Sequence, residues 1–188
     1  MGQNPYSAGK TRHRQNAGDS TVKKLTRRAA LFGATALALA GCSSKFKTYN
    51  GPEVTRIVVY KDRRRMYLLH HQDVLKEYKI GLGFAPRGHK QFEGDGKTPE
   101  GRYTIDRRNP NSSFHLSIGI SYPNERDRAY AAEQGKKPGG DIFIHGARES
   151  KRDRKGSDWT AGCIWVKNRE IENIYAMVRD GTPIDIHP

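Results

Sequence analysis

The chain has 188 residues, of which 35% are hydrophobic and 29% are charged, and its formal net charge is +14. This length suits one globular domain with a tail and is too short for two sizeable cores. The positive charge favours an anionic partner such as nucleic acid, anionic lipid or an acidic polymer, but charge alone does not choose among them.

The N-terminal segment predicts export. Residues 29–41 form a short apolar run behind four basic side chains at 23–28, which is the order found in a secretory signal. The run is shorter than an ordinary membrane-spanning helix. It ends at Leu39-Ala40-Gly41-Cys42, which resembles the lipobox of bacterial lipoproteins. We therefore expect residues 1–41 to be a signal peptide ending in a lipobox, and residues 42–53 to be a lipidated cysteine and a tether.

These features predict a lipoprotein in the periplasm, anchored to the membrane through a lipid on Cys42. Ser43 after the cysteine favours the outer membrane over the inner one. A plain signal with an incidental cysteine is the alternative, and the adjacent arginines leave twin-arginine export open. If Cys42 carries a lipid, Cys163 has no second thiol for a disulfide or a zinc site, because the chain holds two cysteines.

Residues 54–188 predict a single, mainly β domain with short helices. Strand-type sequences occupy 55–61, 64–71 and 74–83, and a polar, glycine-rich loop covers 88–101. Three further strands are predicted at 101–107, 114–122 and 141–146. The segment between the last two predicts a short helix that Asn124 caps and Gly135 ends.

A second helix is predicted after Cys163, with Asn168 as its candidate cap. Apolar side chains recur on one face at helical spacing: Ile171, Ile174, Tyr175 and Val178. Gly181 and Pro183 end the helix, and residues 182–188 predict a closing strand. Together these elements predict a compact mixed or barrel-like sheet.

The C-terminal part of the sequence contains an imidazole and a thiol that could react together. His145 ends a predicted strand before Gly146, and Cys163 follows Gly162, 18 positions later. An imidazole can take the proton of a thiol and create a nucleophile. The backbone N–H groups of Gly162 and Cys163 are candidates for holding a developing oxyanion. A lone cysteine is also commonly a small buried hydrophobe, so both interpretations stay open on the residues alone.

The stretch "IHG" followed by "TAGCIWV" resembles the signature of the L,D-transpeptidase catalytic domain family (YkuD type), in which His-Gly precedes Ser/Thr-x-Gly-Cys. Ala161 departs from it, because many members carry a second histidine there. "GDGKTPEGRYTI" is similar to the family's stretch ahead of the sheet. "FHLSIGISYPN" with "PGGDIFIHG" resembles its subgroup of periplasmic murein enzymes. The resemblance covers about residues 54–188.

The resemblance implies an acyl transfer in which Cys163 is the nucleophile, His145 the general base and the Gly146 carbonyl the group that orients the imidazole. Cys163 would attack the carbonyl after the L-centre of meso-diaminopimelate in a peptidoglycan tetrapeptide stem, and D-alanine would leave. An amine would resolve the thioester and form a cross-link. Water would instead make the protein a hydrolase that cuts stem-peptide or murein–lipoprotein bonds.

A second departure concerns substrate binding, because Trp165 stands where many members have an arginine that supports it. Carboxylate recognition then moves elsewhere, with Arg148 and Arg152 as candidates. The other candidate substrate contacts are Tyr122, His115, Trp159 and Trp165. We expect a monomer without a metal, a cofactor or a nucleic-acid partner. The alternative from a different class is a basic, polymer-binding lipoprotein without catalysis.

Overall fold

The computed structural model describes residues 44–147 and 158–188. The predictions for the signal peptide, Cys42, Ser43, Arg148 and Arg152 lie outside these residues. Within them, no helix has the length and apolar character needed to cross a membrane.

In the described part of the chain, eight strands form one curled, mixed sheet, accompanied by two helices, and this confirms the mainly β prediction. In chain order the elements are β1 (Arg56–Tyr60), β2 (Arg65–His70), β3 (Asp73–Lys79), β4 (Gly101–Asn109), β5 (Ser117–Ile120), α1 (Glu125–Glu133), β6 (Phe143–His145), β7 (Ile164–Trp165), α2 (Asn168–Met177) and β8 (Pro183–His187). The strand order is β3-β2-β1-β8-β4-β5-β6-β7. β1 runs parallel to β8, and β6 runs parallel to β7.

The sheet covers the core because its apolar residues alternate with polar ones. Ile57 and Val59 of β1 and Ile184 of β8 are fully buried, while their neighbours along each strand are more exposed. Helix α2 packs against β5 and β6 and buries Ile171 and Ile174, two of the residues that the periodic pattern selected. The helix therefore packs against β6, the strand that carries His145, and against the neighbouring strand β5.

β3 is shorter than predicted, since it ends at Lys79. The chain then crosses to the C-terminal part of the sheet, where Gly81 bridges Trp165 and Gly83 bridges Thr160. Gly81 and Trp165 exchange two backbone hydrogen bonds of 3.0 and 2.9 Å. These contacts form a seam between residues 81–84 and the segment around Cys163, which lies about 80 residues later in the chain. The seam curls the sheet toward closure.

The two helix caps differ in outcome. Asn124 caps α1 as predicted, because its side chain accepts the N–H of Asp127 and the Asp127 carboxylate accepts the N–H of Asn124. Asn168 does not cap α2; it is the first helical residue, and Lys167 precedes it as the cap. The Asn168 side chain instead accepts the N–H of Ala147 at 2.8 Å.

β5 also starts later than predicted. His115 has a φ of 74°, in the left-handed region, so no strand can pass through it. The strand begins at Ser117, which pairs with His145 of β6.

Candidate active site

Neighbouring strands bring His145 and Cys163 to one face of the sheet. The register pairs His145 with Trp165, so Cys163, two residues earlier, lies level with Phe143. Side chains two positions apart on a strand share a face, and therefore the imidazole and the thiol point to the same side. The N–H of Phe143 lies 3.4 Å from the Cys163 Sγ and donates to it.

A cleft of about 290 Å³ opens over this face, and His145 and Cys163 both line it, together with Phe114, Ser117 and Asp141. A slightly larger cleft of about 330 Å³ lies beside Lys61 and contains neither a thiol nor an imidazole. The smaller cleft therefore holds the reactive pair. Among the described residues, no group of three or more His, Cys, Asp or Glu side chains is placed to hold a metal ion.

The imidazole of His145 is buried and has a defined orientation. It is 3% exposed, and its Nδ1 lies 2.5 Å from the carbonyl oxygen of Gly146. A carbonyl only accepts hydrogen bonds, so Nδ1 carries a proton, and in the neutral imidazole Nε2 carries the lone pair. The ring of Phe114 lies 4.4 Å from the imidazole, centroid to centroid, and the ring of Trp159 lies 5.8 Å from it. This arrangement prepares Nε2 to accept a proton.

The Gly146 carbonyl is held by the amides on both sides of it. The N–H of Gly146 donates to the Leu116 carbonyl at 3.2 Å, and the next N–H, that of Ala147, donates to Asn168 Oδ1. Asn168 thus supports the segment that orients His145. From the sequence, Asn168 is predicted to be a helix cap, and nothing in the sequence indicates its hydrogen bond to Ala147.

The surroundings of the Cys163 thiol raise its pKa. Burial is the largest influence and raises its pKa, and the Asp141 carboxylate acts in the same direction. The N–H of Phe143 and the positive charges of Lys90 and Arg107 lower the pKa of Cys163 but do not outweigh burial. Reaction at this sulfur therefore requires a base.

The turn before the cysteine strongly favours glycine at position 162. Gly162 has a φ of +137°, and a Cβ built there would lie 2.6 Å from the Lys97 carbonyl oxygen. Thr160 Oγ1 closes the turn by donating to the Cys163 carbonyl at 2.6 Å and accepting the Gly162 N–H at 3.2 Å. The Gly162 N–H is thus engaged within the turn, and the oxyanion role of Gly162 and Cys163 stays a prediction.

The two tryptophans lie beside the reactive pair. Their ring centroids are 6.2 Å apart, and Trp165 is the strand partner of His145. The Trp159 indole Nε1 is buried, with no hydrogen-bond partner among the described residues. The Trp159 ring packs against the imidazole, and the Trp165 ring packs against Trp159. Their proposed contact with substrate stays a prediction.

Two other candidate contacts lie elsewhere. Tyr122 is 3% exposed, and its hydroxyl donates to the Pro138 carbonyl at 3.1 Å. His115 Nε2 lies 2.9 Å from Glu172 in a cluster of charged side chains. Neither residue lines the cleft of the reactive pair, so the structure does not bring them to the site.

Comparisons with known proteins agree with this fold. Residues 54–186 match the family model of the YkuD L,D-transpeptidase catalytic domain. YafK of Escherichia coli (strain K12), whose name assigns it to the L,D-transpeptidases, is 31% identical over 128 residues, which are 65% of this chain and 46% of YafK. The chain therefore spans about half the length of the curated relatives that it matches.

Solved structures show the same architecture. The helical cell shape determining protein Pgp2 of Campylobacter jejuni is 27% identical with a TM-score of 0.56, over 78% of this chain and 51% of Pgp2. Bd1075 of Bdellovibrio bacteriovorus is 24% identical with a TM-score of 0.51, over 75% of this chain and 50% of Bd1075. The curled sheet is common to all three.

Proposed function

This chain belongs to the YkuD family of L,D-transpeptidase catalytic domains, and on that premise we propose that it transfers peptidoglycan stem peptides through a thioester on Cys163. The observation that carries the proposal is the shared cleft, in which a half-buried thiol lies on the same face as an imidazole whose Nδ1–H is bound to the Gly146 carbonyl. Peptidoglycan lies outside the cytoplasm, so the proposal includes export, in agreement with the signal predicted at 1–41.

In the proposed first step, His145 Nε2 takes the thiol proton while Cys163 Sγ attacks the carbonyl carbon after the L-centre of meso-diaminopimelate. The S–C bond forms, the C–N bond to D-alanine breaks, and the imidazolium returns the proton to the leaving amine. The raised pKa of Cys163 supports proton removal coupled to attack, because a raised pKa disfavours the free thiolate.

In the second step, an acceptor resolves the thioester. An amine from a neighbouring stem yields a cross-link and is the transpeptidation that we propose. Water in place of the amine makes the protein a hydrolase. Hydrolysis is the second candidate function, because Trp165 stands where many family members have an arginine that supports substrate binding. His145 serves both routes as the base that deprotonates the acceptor.

The test compares Cys163→Ala with Cys42→Ala, which removes the chain's other cysteine and is the matched control. With disaccharide-tetrapeptide as substrate, we expect Cys163→Ala to lose turnover by about a thousandfold or more and Cys42→Ala to retain it. Mass spectrometry of the products separates the routes, since a dimer indicates transpeptidation and D-alanine release without a dimer indicates hydrolysis. Unchanged turnover in Cys163→Ala would remove the nucleophile from the proposal.

A further inference from the structure

We propose that Arg107, held between Asp106 and Asp141 beside the cleft, binds a carboxylate of the stem peptide next to the bond that Cys163 cleaves. This inference rests on the proposed function, because it names the part of the substrate that this site recognises. Arg107 belongs to none of the motifs that identify the family in this sequence.

A β-bulge sets the direction of Arg107. The register of β4 on β5 pairs Ile105 with Ile120 and then Arg107 with Gly119, which leaves Asp106 as an extra residue. A bulge allows consecutive side chains to share a face. The side chains of Asp106 and Arg107 share a face here, because a Cβ built on Gly119 would lie 2.6 Å from Asp106 Oδ1 and 2.5 Å from Arg107 Cγ.

Gly119 gives Arg107 its path toward the nucleophile. Arg107, Gly119 and Phe143 form one row across β4, β5 and β6. Adjacent strands are about 4.8 Å apart, so the Arg107 side chain has to cross the whole width of β5. Because Gly119 has no side chain, the Arg107 side chain can pass over it. The Arg107 guanidinium carbon then lies 4.4 Å from the Phe143 ring centroid. Phe143 is the residue whose N–H contacts the Cys163 Sγ.

The charge pattern around the guanidinium fits a carboxylate ligand. Arg107 Nη1 donates to Asp106 at 2.8 Å, and Nη2 donates to Asp141 at 3.2 Å. The Asp141 side chain is 93% exposed and that of Arg107 is 39% exposed, so this ion pair is held weakly. A substrate carboxylate can displace Asp141 from the fork and bind Arg107 through two hydrogen bonds. Asp141 stays at the site, since its own carbonyl lies 3.5 Å from the Cys163 Sγ.

Two substrate groups carry the required chemistry. One is the free D-amino acid head of meso-diaminopimelate, whose carboxylate would meet Arg107 while its ammonium meets the freed Asp141. The other is the terminal carboxylate of the leaving D-alanine. The neighbouring Arg108 does not compete for either, because its guanidinium donates to the carbonyls of Tyr175 and Val178.

The experiment measures binding to Cys163→Ala protein, in which no reaction can follow. Calorimetry compares disaccharide-tetrapeptide with two analogues, one amidated at the side-chain carboxylate of meso-diaminopimelate and one at the terminal D-alanine. We expect one amide to bind about ten- to a hundredfold more weakly than the parent, and the affected amide identifies the group that Arg107 binds. Adding Arg107→Gln should weaken the parent to the level of that amide, without further loss for the amide itself.

Arg102→Gln is the matched control. Arg102 lies five positions earlier on the same strand and also pairs with an aspartate, Asp185, at 2.7 Å. We expect Cys163→Ala/Arg102→Gln to keep the preference for the carboxylate. Arg107→Lys should restore part of it, because the charge remains while the planar fork is lost.

Three results would overturn the inference: no measurable binding of the parent to Cys163→Ala, equal binding of all three ligands, or a preference that survives Arg107→Gln. An equal loss for all three ligands in Arg107→Gln would also overturn it, since that indicates a structural role. An Arg107-dependent preference in a protein without Cys163-dependent turnover would refute the proposed function alone. Cys163-dependent turnover without such a preference would refute this inference alone.

Discussion

Replacing Gly162 with alanine tests whether the turn before Cys163 positions the sulfur. The φ of +137° is one that side chains rarely adopt, and the new Cβ would lie 2.6 Å from the Lys97 carbonyl oxygen and 3.2 Å from Ile142 Cδ1. The backbone strain costs about 1–3 kcal/mol. The steric overlap costs about another 1–3 kcal/mol, because a carbonyl of the main chain has to move. We therefore expect the free energy of unfolding to fall by about 2–6 kcal/mol.

Gly135→Ala is the control for backbone strain without overlap. Gly135 has a φ of +64°, and no heavy atom lies within 4 Å of the Cβ position. We expect a loss of about 1–2 kcal/mol there. Urea denaturation followed by tryptophan fluorescence suits both variants, because Trp159 and Trp165 flank the turn.

Under the proposed function, the rate at which disaccharide-tetrapeptide acylates Cys163 gives a second readout for both variants. A shift of about 1 Å at a reacting atom can cost about a hundredfold in rate. We expect folded Gly162→Ala to be acylated at least about tenfold more slowly than wild type and Gly135→Ala to react normally. Equal losses of stability in the two variants, or normal acylation of Gly162→Ala, would refute the reasoning about the turn.

Two further predictions concern the thiol and its support. Alkylation of Cys163 by iodoacetamide should have a higher pH midpoint in the native protein than in the urea-unfolded chain, because burial raises the pKa of this thiol; a lower native midpoint would contradict this. By linkage, the stability that this pKa shift contributes is present below the unfolded-state pKa and is lost as pH rises through the folded-state pKa. Urea denaturation of wild type and Cys163→Ala at a series of alkaline pH values measures this contribution as the difference between their free energies of unfolding. Asn168→Ala should cost about 1–2 kcal/mol of unfolding free energy and slow acylation, because the Ala147 N–H loses its acceptor. Asn168→Asp keeps an oxygen acceptor and should recover most of both, and equal effects of the two substitutions would count against the hydrogen bond.

The elements with strong local patterns could be predicted from the sequence. β1 and β2 carry alternating apolar residues, and α2 carries an apolar stripe, so each pattern indicates its own buried face. The joint position of His145 and Cys163 could also be expected, since each lies at the end of a strand-like run. These features depend on residues close together in the chain, where composition and period are informative.

The remaining features depend on register between distant strands. Arg107 reaches Phe143, which lines the cleft, only because a bulge at Asp106 and a glycine at 119 coincide with the pairing of β4, β5 and β6. Asn168 has the residue type of a helix cap, yet its side chain binds a backbone amide 21 positions earlier. His115 delays the start of β5 through a left-handed backbone angle. None of these contacts leaves a periodic signal along the chain.

The seam between residues 81–84 and the segment around Cys163 has a consequence for how the protein matures. The Phe84 N–H donates to the Thr160 carbonyl, and the Thr160 N–H donates to the Leu82 carbonyl. The reactive segment is therefore paired with a stretch that is synthesised long before it. Pairings so distant in sequence form late, after most of the loop-closure entropy has been lost. A nascent or truncated chain would thus carry a cysteine without an aligned partner base. The aligned pair of Cys163 and His145 would arise only once the segment around Cys163 has paired with residues 81–84.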